Sequence, residues 1–197
     1  KGIVNYLHRP RISGDMATSK TGSFWLTETV IIDAGSATTA RYEGTIDLGA
    51  YVDVGDQQAV AIEQVDFIWQ YGTTFGQYLA GMVLDDGALG AQLTDLNPGI
   101  LYVRADDNNL IASGALNIDH GNNVGSVTND FFPDVFGKLD ESRIIVNDQL
   151  YLTVGWDGAG NTGANGIRCT VRIKCRVVKL STKDWMAIAI QSTAADN

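Results

Sequence analysis

The sequence predicts an all-β protein, a jelly-roll β-sandwich of about eight strands. Three observations predict it. Apolar and β-branched runs of strand length recur along the 197 residues, turn signals rich in Asp, Asn and Gly separate these runs, and the acidic residues are nineteen Asp against four Glu. Because Asp favours turns and Glu favours helices, this imbalance favours many turns and few helices.

The elements follow in order along the chain. Residues 1–20 show no sustained period and predict an N-terminal arm, and residues 21–197 are expected to form one β-sandwich domain. Eight predicted strands occupy residues 23–32, 37–49, 59–71, 78–85, 99–105, 109–118, 142–156 and 167–180. The stretch STKDWMAIAI (181–190) predicts a short C-terminal helix with Ser181 or Thr182 as N-cap, or else a final strand.

The stretch GIRCTVRIKCRV (166–177) alternates between apolar and cationic residues with a period of two, which predicts a strand with one buried face. Cys169 and Cys175 fall on the apolar face, with Cα atoms roughly 20 Å apart along the strand, whereas a disulfide needs about 5.5 Å. We therefore expect two buried, reduced thiols. The cations of the opposite face are Arg168, Arg172, Lys174 and Arg176.

Charge is segregated along the chain. Residues 1–20 and 168–197 hold ten cations and three acids, a balance of +7, whereas residues 21–167 hold four cations and twenty acids, a balance of −16. Two interpretations remain open: the basic segments contact an anionic partner, or the basic strand pairs with acidic neighbouring strands of its own sheet.

The stretch WDGAGNTG matches the spacing G-x-G-x-x-G after a strand, but a strand follows it rather than the helix that a dinucleotide site requires. We therefore expect an exposed connecting loop. Its residues are Asp157, Gly158, Gly160, Asn161 and Gly163.

No arrangement typical of catalysis stands out, so the sequence predicts a protein that is not an enzyme, with no cofactor. The motif G-x-S-x-G does not occur, and the carboxylate pairs at 85–86 and 106–107 lie in turn sequences. Asp47, Asp53 and Asp56 leave structural calcium open, although their spacing is not that of an EF-hand.

Residues 139–190 have a characteristic order: the turn and strand LDESRIIV, the strand QLYLTVGWD, a Gly/Asn-rich loop, and CTVRIKCRVVKLSTKDW. This order resembles the closing strands of single jelly-roll major capsid proteins of tailless icosahedral viruses of bacteria and archaea, which carry an internal membrane. The resemblance implies a β-sandwich that assembles into capsomers, without enzymatic activity or a cofactor. It also implies a terminal arm, a part that residues 1–20 could play.

The expected function is therefore that of a virion protein that self-assembles into an icosahedral capsid enclosing a genome or an internal membrane, and that assembles in the host cytoplasm. Its expected partners are many copies of itself, other capsid proteins, and an anionic lipid membrane or genome, with no small-molecule substrate. The anionic partner would contact the basic strand face and the arm, through Arg168, Arg172, Lys174, Arg176, Arg9 and Arg11. The alternative is a monomeric carbohydrate-binding or adhesive β-sandwich that uses an Asp/Asn-rich loop end.

Overall fold

The computed structural model describes residues 17–131 and 143–193. Its strands are β1 (Ala17–Ser19), β2 (Phe24–Ile32), β3 (Arg41–Asp47), β4 (Gln58–Tyr71), β5 (Gly87–Thr94), β6 (Leu110–Asp119), β7 (Val124–Phe131), β8 (Arg143–Ile145), β9 (Gln149–Gly158) and β10 (Ile167–Leu180). Its helices are α1 (Leu79–Met82) and α2 (Thr182–Thr193). The predicted all-β class is confirmed.

The strands form two antiparallel sheets that pack face to face. The first sheet has the order β2-β10-β4-β8, and β1 pairs with the end of β10 beyond β2. The second sheet has the order β3-β9-β5-β6-β7. With β1 and β7 set aside, eight strands remain, four in each sheet. The chain crosses between the sheets at each connection except that from β5 to β6, which is the topology of a jelly roll.

The core lies between the two sheets, where the inward side chains of β2, β4 and β10 meet those of β3, β5, β6 and β9. Trp69 and Trp156 are buried there, together with Cys169 and Cys175. Both thiols are free, as the strand period predicts. Burial raises the pKa of Cys175 to about 12 and raises the pKa of Cys169 as well, so both thiols stay protonated.

Two predicted strands are not strands. Residues 78–85 form α1 and an isolated bridge, and residues 99–105 form a loop. Ile100 takes a φ of 62°, which ends any extended run there. The Val103 N–H donates to the Gln92 side chain rather than to a backbone carbonyl of a neighbouring strand.

Conversely, two strands occupy sequence that looked like turn or loop. β5 lies between the predicted strands at 78–85 and 99–105, and β7 lies between those at 109–118 and 142–156. The small residues of β5 carry little strand propensity, but β6 and β9 pair with it on both sides.

The C-terminal stretch is a helix rather than a strand. Ser181 is the N-cap: its Oγ accepts the Asp184 N–H at 3.2 Å and donates to the Asp184 carboxylate at 2.6 Å.

The end of the predicted N-terminal arm forms a strand, because β1 extends the first sheet. Arg9 and Arg11 lie outside the described residues.

Candidate functional site

The outer surface of the first sheet divides into two halves along β10. The covered half is apolar and lies beneath α2. This cluster includes Ala59, Ala61, Val178 and Leu180 on the sheet and Trp185 and Ile188 on the helix. The other half, called the cationic face below, consists of Trp25, Thr27, Thr29 and Ile31 on β2, Gln64, Asp66, Ile68 and Gln70 on β4, and Arg168, Thr170, Arg172 and Lys174 on β10. Three cations and one carboxylate give this face a balance of +2.

Trp25 is the main apolar feature of the cationic face, and 43% of its surface is exposed. The Arg172 guanidinium lies 4.6 Å from the centroid of the Trp25 ring, a cation–π arrangement. Lys174 lies opposite Trp25 in the strand register. Arg168 is held differently, since it donates to the Gly72 carbonyl and lies 5.5 Å from the Phe75 ring. Arg172 and Trp25 are therefore exposed together beside the half-buried Lys174, and Thr27, Thr29 and Ile31 complete the exposed part of the face.

Arg176 is engaged within the chain. It pairs with Glu63, which is 3% exposed and also accepts a hydrogen bond from Ser23 Oγ at 2.8 Å. The register of β4 and β10 shifts between Lys174 and Cys175, so Glu63 lies in a β-bulge that turns its carboxylate toward Arg176. For this one cation, the structure favours the intramolecular pairing that the sequence left open.

The outer surface of the second sheet carries a depression with a volume of about 240 Å³. It lies over β5 and β6, and Tyr102 and Asp157 stand at its rim; the remaining lining residues are Ala88, Gly90, Ala91, Gln92, Ser113, Gly114 and Ala115. Because most of these residues are small, the two central strands leave space that larger side chains would fill.

The rim of the depression is held rigidly. Tyr102 Oη donates to the Gly90 carbonyl at 2.7 Å. A Cβ at position 90 would lie 2.7 Å from this Tyr102 hydroxyl oxygen, which is too close, so the contact requires glycine. Burial raises the pKa of Tyr102, which keeps this donor protonated. Arg41 lies 4.2 Å from the Tyr102 ring centroid and donates to both oxygens of Asp157, at 2.8 and 2.7 Å.

The loop predicted to be exposed is only partly so. Asp157 and Gly158 end β9 rather than lie in the loop, and Asn161 is exposed. Gly160 is half-buried, and its carbonyl accepts the Trp156 indole N–H at 2.7 Å. Gly163 is buried, so the prediction that it is exposed is wrong. Its N–H donates to the Met82 carbonyl and its carbonyl accepts the Gly35 N–H, which holds the loop between these two segments.

Large apolar side chains are exposed in several directions. Phe75 and Ile100 lie on connections at opposite ends of the sandwich, with φ values of 57° and 62°. A positive φ is strained for a bulky or β-branched residue, so the surrounding structure holds these tips in place. Further exposed residues are Trp25 and Ile31 on β2, Val124 and Val127 on β7, Val54, Tyr78, Leu84 and Leu101 in connections, and Met186 and Ile190 on α2.

Sequence reasoning missed Trp25 and the depression. Trp69 and Trp156 are buried in the core, whereas Trp25 is exposed. Reading FWLTETVII with a period of two places Trp25 with Thr27 on the polar side of β2, and that pattern could have identified its exposure.

The comparisons with known proteins provide no family assignment: no family model matches the chain, and no curated protein is significantly similar to it. In residues 17–131 and 143–193, no helix is long and apolar enough to cross a membrane. The same residues contain no group of three or more His, Cys, Asp or Glu side chains placed to hold a metal ion. Asp47 and Asp53 accept the backbone N–H groups of Gly49 and Gly55.

Proposed function

We propose that this chain is a structural subunit that self-assembles into an icosahedral capsid shell around a genome or an internal membrane. The observation that carries the proposal is the distribution of exposed apolar side chains on a jelly-roll sandwich. They lie at both loop ends, on the outer strands of both sheets and on α2. A ligand-binding module needs one concave site, whereas a subunit of a shell has neighbours on several sides.

The outer strands support the same proposal. Among the described residues β7 is the last strand of the second sheet, and its positions from Val124 to Thr128 are all exposed. Asp130, next to its C-terminal end, is the one charged residue of this strand, and the strand has no proline, although edge strands of monomeric proteins are commonly protected by charged residues or proline. Such an edge is well suited to contact with a neighbouring subunit.

Electron microscopy of the purified full-length chain, with light scattering for mass, tests the proposal over a range of salt and calcium concentrations. Closed particles or regular capsomers are the expected result. A strict monomer in every condition, together with reproducible binding on a glycan array, would overturn the proposal in favour of a carbohydrate-binding module.

A further inference from the structure

We propose that the cationic face of one copy binds the outer surface of the second sheet of the next copy, with Trp25 inserted into the depression over β5 and β6. This inference rests on the proposed self-assembly and names the contact that drives it. The partner is a second copy of this chain, and the contact joins two different surfaces.

Charge complementarity is the first reason. The cationic face has a balance of +2. Among the side chains of the second sheet that the structure describes, the outward charged residues are Arg41, Glu43, Asp47, Asp119 and Asp157, a balance of −3. Opposite potentials steer two copies into this orientation and disfavour contact between two identical faces.

Shape is the second reason. At about 240 Å³, the depression is smaller than the roughly 300–1,000 Å³ of pockets that hold drug-sized ligands. It matches one large side chain better than a small molecule. Trp25 is exposed, large and stacked on Arg172, and Trp and Arg are the residues most enriched at the energetic centres of protein interfaces.

The rim supplies the polar part of the contact. The Asp157 side chain is 46% exposed even though it is paired with Arg41. With Trp25 seated in the depression, the stacked Arg172 guanidinium comes close to this carboxylate. The aromatic anchor and the charge pair are therefore positioned together, which fixes the orientation of the two copies.

The composition of the cationic face favours a protein over a polyanion. Proteins that bind nucleic acid through its backbone neutralise several phosphates, about 6–10 for a strong binder, whereas this face has a balance of only +2. It also contains Trp25, Ile31 and Ile68 among its threonines. Aromatic residues and Arg next to aliphatic ones are typical of the centre of a protein interface.

A contact between two different surfaces leaves one of each free on every pair, so this contact alone builds a closed ring, as in a capsomer, or an open filament. This property allows a complementation experiment with two variants of the full-length chain. Trp25→Ala removes the anchor and keeps the depression, whereas Ala115→Tyr fills the depression and keeps the anchor. The matched controls are Trp25→Phe, which retains an aromatic ring, and Ala187→Tyr, which makes the same substitution at an exposed position of α2, outside both proposed surfaces.

Analytical ultracentrifugation measures the outcome. Each variant alone should need at least a tenfold higher protein concentration to assemble, a loss of about 1.4 kcal/mol or more per contact, and each control should assemble nearly as the native chain does. An equimolar mixture of the two variants should give 1:1 pairs and nothing larger, because only one productive contact is possible between them.

Failure of this inference differs from failure of the proposed function. A native chain that assembles while both variants assemble equally well would overturn the contact and leave the shell proposal standing. A native chain that stays monomeric in every condition would overturn the contact, and glycan binding by that monomer would overturn the shell proposal as well. If Trp25→Ala and Arg172→Ala assemble normally but lose binding to phosphatidylserine vesicles, the cationic face binds a membrane and the proposed contact is wrong.

Discussion

The two halves of the outer surface of β10 belong to one strand but have different surroundings. Val178 and Leu180 lie beneath α2 and are buried, whereas Arg172 and Trp25 are exposed beside the half-buried Lys174. The chain uses its own helix to bury the apolar half and leaves the cationic half open. Changes in the covered half should therefore affect folding, and changes in the open half should affect association.

Truncation of Leu180 should have the largest effect on stability. Leu180→Ala removes a side chain that is 4% exposed, so the free energy of unfolding should fall by about 2–5 kcal/mol. Urea denaturation of the unassembled chain measures this change. Ile31→Ala is the matched control on the open half, where the side chain is 43% exposed, and it should cost under about 1 kcal/mol. Equal losses for the two variants would contradict the division into halves.

Arg176 lies at the boundary between the halves, and its removal should have the next largest effect. Arg176→Met leaves the buried Glu63 carboxylate without its cation, which should cost about 3 kcal/mol of unfolding free energy. Arg172→Met on the open half removes an accessible cation and should cost less than about 1 kcal/mol. The double variant Arg176→Met/Glu63→Gln should recover part of the loss, and a loss that persists in full would show that the ion pair is not its cause.

The titration of Asp95, which follows β5, should change stability without involving either half of the outer surface of the first sheet. Asp95 is buried, and burial raises its pKa to about 6, against 3.8 for an ordinary Asp side chain, although Arg143 at 3.6 Å lowers it and Asp107 raises it slightly further. The folded state therefore binds this proton more tightly than the unfolded state does. Its contribution to stability is complete below about pH 4 and is lost as the pH rises through 6, at most about 3 kcal/mol.

Asp95→Asn tests this sign. Relative to this variant, the native chain should lose unfolding free energy as the pH rises from 4 to 6.5, as measured by urea denaturation at each pH. Lys174→Ala on the cationic face should keep the native pH dependence, because Lys174 lies on the outer surface of the first sheet, whereas Asp95 follows β5 of the second. An unchanged pH dependence in Asp95→Asn would show that another group is responsible.

The sequence was sufficient to predict strand β10 but not strand β5, because local alternation determines the first and tertiary pairing determines the second. In β10, each inward position is apolar and each outward position up to Arg176 is polar, so local alternation predicts both the strand and its buried thiols. In β5, Gly87, Ala88 and Gly90 have low strand propensity, and the strand exists because β6 and β9 pair with it. Those small residues also create the depression, so this part of the candidate site arises from tertiary pairing that a single-sequence pattern does not contain.

The same limit applies to charge. The sequence identified four cations on one strand face but could not show that a β-bulge directs Glu63 toward only one of them. A bulge depends on the pairing of two distant strands. The separation of Arg176 from Arg172 and Lys174 therefore required the register between β4 and β10.

The smallest expected effect concerns the helix that covers the apolar half. Ser181→Ala removes the N-cap of α2 and should reduce stability by about 1 kcal/mol. Because α2 contacts the rest of the chain mainly through the covered half, the loss should be local: amide hydrogen exchange should accelerate in 182–193 and much less in β10. Ser181→Asp also provides an N-cap acceptor, although next to Asp184, and should retain most of the protection. Equal acceleration throughout the sandwich would mean that α2 unfolds only with the whole domain, so that the covered half is part of the central core rather than a separately closed surface.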